Sequence, residues 1–137
     1  MSDVQAGHEK TISALLPALA GANLIYGMGM LDMGMVLSFE QMVIDDDIVA
    51  MVKKSVQGID VDHELLAVDL IKEVGIAGHY LTAEHTMKHF KNEQIHADIF
   101  ERRIRGLWEA GGSISMSQVA NEKVKNILAK HKPATLP

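Results

Sequence analysis

The sequence predicts a mainly α fold with one or two short strands, and three observations carry that prediction. Apolar residues recur at helical spacing in five or six segments, glycines punctuate the chain between them, and a single short run is apolar at nearly every position. With 137 residues, 47% of them hydrophobic and a net charge of −5, the chain suits one ordinary core and neither disorder nor two domains. A complete (β/α)8 barrel, at about 250 residues, does not fit.

Residues 1–7 are polar and read as a turn. Ile12, Leu15, Leu16 and Leu19 then mark a helix over residues 8–20, which Pro17 should kink and Gly21 should close. Residues 22–27 (ANLIYG) form the short apolar run. Its glycine borders and near-continuous apolar character predict a strand covered on both faces. A lone strand cannot satisfy its own backbone groups, so this one hints that the chain is part of something larger. Residues 27–37 form a glycine-studded loop with methionines at 28, 30, 33 and 35.

Ser38 with Gln41 matches a capping box and opens a helix through Met42, Ile48, Met51 and Val52 to about Val56, before Gly58. Asp45, Asp46 and Asp47 lie too deep to cap it. Side chains about 100° apart around a helix predict a solvated acidic face there. Asp62 should cap the next helix, which carries Leu65, Leu66, Val68, Leu70 and Ile71 and ends before Gly75. Further helices are expected over residues 82–92 and 97–110. Gly111-Gly112 then break the chain before a last helix bearing Val119, Val124, Ile127 and Leu128, which stops before Pro133.

The chemistry carried by these elements is sparse. Without cysteine there are no disulfides, thiolate metal sites or cysteine nucleophiles. The acidic balance argues against nucleic-acid binding, and no apolar stretch reaches the roughly 20 residues that cross a bilayer. The N-terminus has no basic region followed by an apolar one, so the expected location is the cytoplasm. His85, His89, Glu93 and His96 share helical spacing that suits a metal ion. The neighbouring Lys88, Lys91 and Asn92 instead describe a solvated helix, so no metal is expected. The methionine row reads as adaptable filler of an apolar surface. Gly27-x-Gly29 lacks the rest of a phosphate loop. Arg102, Arg103 and Arg105 with Trp108 suit either a docked partner or a network of surface ion pairs.

Several stretches match a known family in order. They are DVQAGHEKT (3–11), ALAGANLIYG (18–27), SFEQMVID (38–45), EVG (73–75), GHYL (78–81), EHTMKHF (84–90) and WEA (108–110). With these the chain resembles the C-terminal part of the trimethylamine–corrinoid methyltransferases. The resemblance implies a fragment of a TIM-type (β/α)8 barrel, with its last strand–helix units over residues 1–60, followed by a C-terminal helical region over 61–137. It also implies methyl transfer from trimethylamine or a related methylated or quaternary amine to a corrinoid protein. The chain would bind no cofactor directly, the corrinoid being carried by that partner. The pyrrolysine position of archaeal-type members would lie upstream of the matched stretch, in the part of the barrel that this chain would need to join.

In that frame residues 22–27 become a barrel strand, and residues 1–8 and 28–37 become loops at the catalytic face. The implied substrate-binding residues are Gln5 and His8 from the first loop, Tyr26 at the strand end, and Met30 and Asp32 from the second. The methionine and tyrosine would meet a cationic ammonium through soft and π surfaces, and Asp32 would supply counter-charge. No catalytic residue is assigned. A helical association module derived from the same family is the alternative, and either reading predicts self-association or a broad exposed apolar surface.

Overall fold

A computed structural model describes residues 3–134. The chain opens with helix α1 (Val4–Leu19), whose first turn is capped by Asp3: its carboxylate accepts the Ala6 N–H at 3.1 Å. The cap pulls helix into the stretch expected to be a turn, so Gln5 and His8 sit on a helix rather than in a loop. Pro17 does not break α1. It lies in the last turn, where its missing N–H costs one bond, and the helix runs on to Leu19.

Residues 22–27 form no strand. They run as irregular chain with Leu24 and Tyr26 more than four-fifths exposed. Among the described residues no neighbouring strand offers them a ladder, and an extended segment becomes a strand only by pairing. The sheet that does form lies within the expected loop. Strands β1 (Met30–Leu31) and β2 (Val36–Leu37) pair antiparallel, Met30 with Leu37 and Leu31 with Val36. A single 3₁₀ turn over Asp32–Gly34 joins them, with Asp32, Met33 and Gly34 all at positive φ.

Helix α2 (Phe39–Gln57) follows. Ser38 Oγ accepts the Gln41 N–H at 3.1 Å, which is half of the expected capping box. The other half is missing because the Gln41 side chain is engaged elsewhere. Asp62 does cap, accepting the Leu65 N–H at 2.8 Å, but only a turn follows. Ala67, at φ 48°, separates that turn from α3 (Val68–Val74). Helix α4 (Glu84–Glu93) falls where the apolar spacing placed it. The expected helix over 97–110 is reduced to α5 (Arg105–Ala110). Helix α6 (Met116–Lys130) closes the described chain with a complete capping box between Ser115 and Gln118.

The packing centres on α2, with α1 on one flank and α6 on the other. Val43, Ile44, Ile48 and Val52 of α2 are buried against Ile99 and against Ala120 and Val124 of α6. Ala14, Leu15 and Ala18 complete the α1 side. Fully burying a side chain of this size contributes roughly 1.5–3 kcal/mol, so this small cluster supplies most of what holds the helices together. The accessible surface is 11,020 Å², against about 7,000 Å² for a compact chain of this mass. Large apolar side chains are part of that exposed surface, with Leu24, Met33 and Ile76 each more than four-fifths exposed, in keeping with the broad apolar surface expected. Among the described residues no helix is long and apolar enough to cross a membrane.

Candidate functional site

Between α1, α2 and residues 22–34 lies an open cleft of about 750 Å³. Lys10, Ala14 and Ala18 line it from α1, and Asp45, Ile48 and Val52 from α2. The third wall carries Tyr26, Met28 and Met30. Apolar walls with a few convergent polar groups are the usual composition of a small-molecule site.

The polar groups at its centre belong to one network. Lys10 Nζ donates to the Gly27 carbonyl at 2.6 Å and to Asp45 Oδ2 at 2.9 Å. Asp45 Oδ2 also accepts the Gly29 N–H at 2.7 Å, and Asp45 Oδ1 accepts from Gln41 Nε2 at 2.7 Å. This is why Gln41 cannot close the box at Ser38. Its other atom, Oε1, is buried, with no hydrogen-bond partner among the described residues. Gly29 is required where it stands: φ is +75°, and a Cβ would lie 2.9 Å from the Ser38 carbonyl oxygen and 3.0 Å from Met42 Cβ.

The acidic triplet is therefore not a solvated face. Asp45 and Asp47 are buried, and only Asp46 is exposed. The 100° spacing that predicts splayed carboxylates also sends them to different neighbours, because α2 is covered on two flanks. Asp45 turns to α1 and the loop. Asp47 turns to the other side and accepts the Asp98 and Ile99 N–H groups at 3.2 and 2.8 Å. These bonds hold the bend at residues 98–99 against α2, ahead of α5. Sequence reasoning missed Lys10, Gln41 and Asp45. The signal was present, since Gln41, Ile44, Asp45, Ile48 and Val52 fall on one stripe of α2.

Of the five implied substrate-binding residues, the fold brings together Tyr26 and Met30 at the cleft. Gln5 and His8 lie exposed on the first turns of α1, where Gln5 Nε2 donates to Glu9 Oε1 at 2.8 Å. Asp32 sits in the 3₁₀ turn, exposed and outside the cleft lining.

The histidine row has a different geometry. His85 Nε2 donates to the Glu64 carbonyl at 2.8 Å, and His89 Nε2 to the Glu64 carboxylate at 3.1 Å, which Lys88 also contacts. Hydrogen bonds from Lys88 and then His89 hold the Glu64 carboxyl below the usual range. Among the described residues no group of three or more such side chains is placed to hold a metal ion. The arginine–tryptophan patch resolves into local pairs. Arg103 binds Glu101, whose carboxyl those hydrogen bonds lower to about 2, and Arg105 binds Glu109 at 2.7 Å. Trp108 Nε1 donates to the Ile114 carbonyl at 2.8 Å.

Comparison with known proteins gives a consistent result along the whole chain. The profile of the trimethylamine methyltransferase (MTTB) family matches residues 1–137. Trimethylamine methyltransferase MttB2 of Methanosarcina mazei is 52% identical over 129 residues, 94% of this chain and 26% of that protein. MttB of Desulfitobacterium hafniense is 44% identical over 135 residues, 98% of this chain and 27% of its own length. A glycine betaine methyltransferase of Desulfitobacterium hafniense is 32% identical over 135 residues, 28% of its length. The chain thus spans about a quarter of the length of the curated relatives it matches. On this match the chain belongs to the trimethylamine methyltransferase family.

Proposed function

We propose that the chain is a C-terminal portion of a corrinoid-dependent methyltransferase, one that moves a methyl group from trimethylamine or a related methylated or quaternary amine to a corrinoid protein in the cytoplasm. The observation that carries this is identity of 44–52% to trimethylamine methyltransferases across 94–98% of the chain. The cleft supports it. Tyr26, Met28 and Met30 offer a π face and thioethers to a methylated ammonium. The unpaired run at residues 22–27 supports its assignment as a strand of a TIM-type barrel completed by the remaining three-quarters of the relatives' length. The broad apolar surface supports joining to that part or to a second copy.

In this reading Tyr26 and Met30 contact the substrate from the cleft wall. Gln5 and His8 reach it from the first turns of α1, and Asp32 from the turn between β1 and β2, once the barrel is complete, and the corrinoid stays on its own protein. The test joins this chain to the upstream part of a relative and follows methylation of the corrinoid protein by its visible spectrum. Tyr26→Ala and Asp32→Ala should lower kcat/KM for trimethylamine by at least about tenfold. His85→Ala, on an outer helix, should leave it unchanged. Full activity in both cleft and loop variants would overturn the site, and an inactive joined protein would overturn the enzyme reading.

A further inference from the structure

We infer that Asp45 is the positioning residue of the cleft. Through the Gly29 amide and Lys10 it fixes the turn at Gly27–Gly29, and the turn in turn aims Tyr26, Met28 and Met30. The inference rests on the methyltransferase reading for what the cleft binds, but not for how the turn is held.

The geometry is a clamp with two jaws. Lys10 Nζ holds the Gly27 carbonyl, and Asp45 Oδ2 holds the Gly29 N–H, while Lys10 and Asp45 hold each other. The turn between the jaws carries Met28, with Tyr26 and Met30 as its immediate flanks. Gln41 Nε2 fixes the second carboxylate oxygen, so the rotation of Asp45 is set as well as its place. With 4% of its surface exposed, Asp45 has little water to bond instead.

Stability alone does not account for this arrangement. A buried ion pair is commonly matched or exceeded in stability by apolar residues of similar volume, because desolvation offsets the attraction. The neighbouring positions, Ile44 and Ile48, are such residues. What a charged pair provides and an apolar pair cannot is direction. Each bond here ends on a backbone atom of the turn or on a partner that does.

The first measurement uses the 137-residue chain, labelled for amide NMR and hydrogen exchange. Asp45→Asn keeps the shape and removes the charge, and Lys10→Met/Asp45→Leu removes both charges together. In each, the Gly29 amide proton should move upfield by at least about 0.5 ppm as its charge-assisted bond is lost. Exchange of the amides over residues 28–34 should quicken by about tenfold or more, while Val52 and Val124 stay protected in the double variant. An unmoved Gly29 resonance, or loss of protection throughout the core in the double variant, would overturn the inference.

The second measurement uses the joined enzyme. Asp45→Asn should raise KM for trimethylamine by about tenfold with kcat changed far less, since it misplaces the binding wall and no reacting group. Asp45→Glu should not rescue it, the longer side chain being unable to meet Gly29 and Lys10 at once. An unchanged KM would overturn the inference. An inactive parent enzyme with a loosened turn in Asp45→Asn would remove the amine reading and uphold the clamp.

Discussion

The α1–α2–α6 block and residues 58–96 hold their shapes by different means. The block contains every buried apolar side chain of the described residues except Ile99, which packs directly onto it. Residues 58–96 contain none, with Ile59, Ile76 and Leu81 nearly fully exposed. Their internal tie is polar: Glu64 gathers Lys88, His89 and His85 and so binds the Asp62 turn to α4. A bond from Lys54 Nζ to the Asn92 carbonyl at 3.0 Å fastens them to α2. Both regions have comparable helical periodicity in sequence. Periodicity therefore says that a face is apolar, and only the presence of a second face decides whether it is core.

The contrast breaks most visibly at Ile48, which is 4% exposed at the centre of the block. Ile48→Ala should lower unfolding free energy by about 2–5 kcal/mol, transfer and cavity costs together. Urea unfolding of the whole chain measures this, and a loss below about 1 kcal/mol would mean the block is not the stabilising unit.

A smaller effect should appear with pH where Asp98 meets Lys123 of α6 at 2.8 Å. The Lys123 hydrogen bond holds the Asp98 carboxyl below its ordinary 3.8, so its stabilisation is full above that value and lost as pH falls through the lowered one. The same bond raises Lys123 above its ordinary 10.5, so that contribution is full below 10.5 and lost as pH climbs through the raised value. The pair is partly exposed, which limits it to at most about 1 kcal/mol after solvent screening. Lys123→Met should flatten both limbs of the stability–pH curve. Limbs unchanged in that variant would assign them to other groups.

Glu64→Gln should do least to global stability. The urea midpoint should stay where it is, because no buried apolar contact depends on Glu64, while amide exchange in α4 should quicken as the tie to the Asp62 turn loosens. A shifted midpoint would show that the arm and the block unfold together.

Much of the helical framework was legible in the sequence, and the reasons are local. Ser38 starts α2 and Gly58 ends it, and the spacing over residues 82–92 delivers α4. What escaped depends on partners distant in the chain. The run at residues 22–27 reads as a strand in composition, but a ladder needs a neighbour. The helix expected from residue 97 starts only at Arg105, and the bend before it is tied to Asp47, a partner 51–52 residues back in the chain. Two of the residues singled out in the sequence, Tyr26 and Met30, line the cleft. Lys10, Gln41 and Asp45 did not stand out, because a charge on an apolar stripe reads as solvated until the opposite wall is known.

The two buried aspartates of α2 also differ in how much chain each must gather. Asp45 reaches an amide 16 residues away at Gly29, and Asp47 reaches one 52 residues away at Ile99. Loop-closure entropy grows with the logarithm of that separation, so the second connection costs about 1 kcal/mol more to form from the unfolded chain. The clamp at the cleft can therefore close early, using little more than the first third of the chain. The anchor of the 97–99 segment must wait for residues 58–96 to be spooled in. Two carboxylates on either side of Asp46 thus gather chain of very different reach, one within the N-terminal third and the other across residues 58–96.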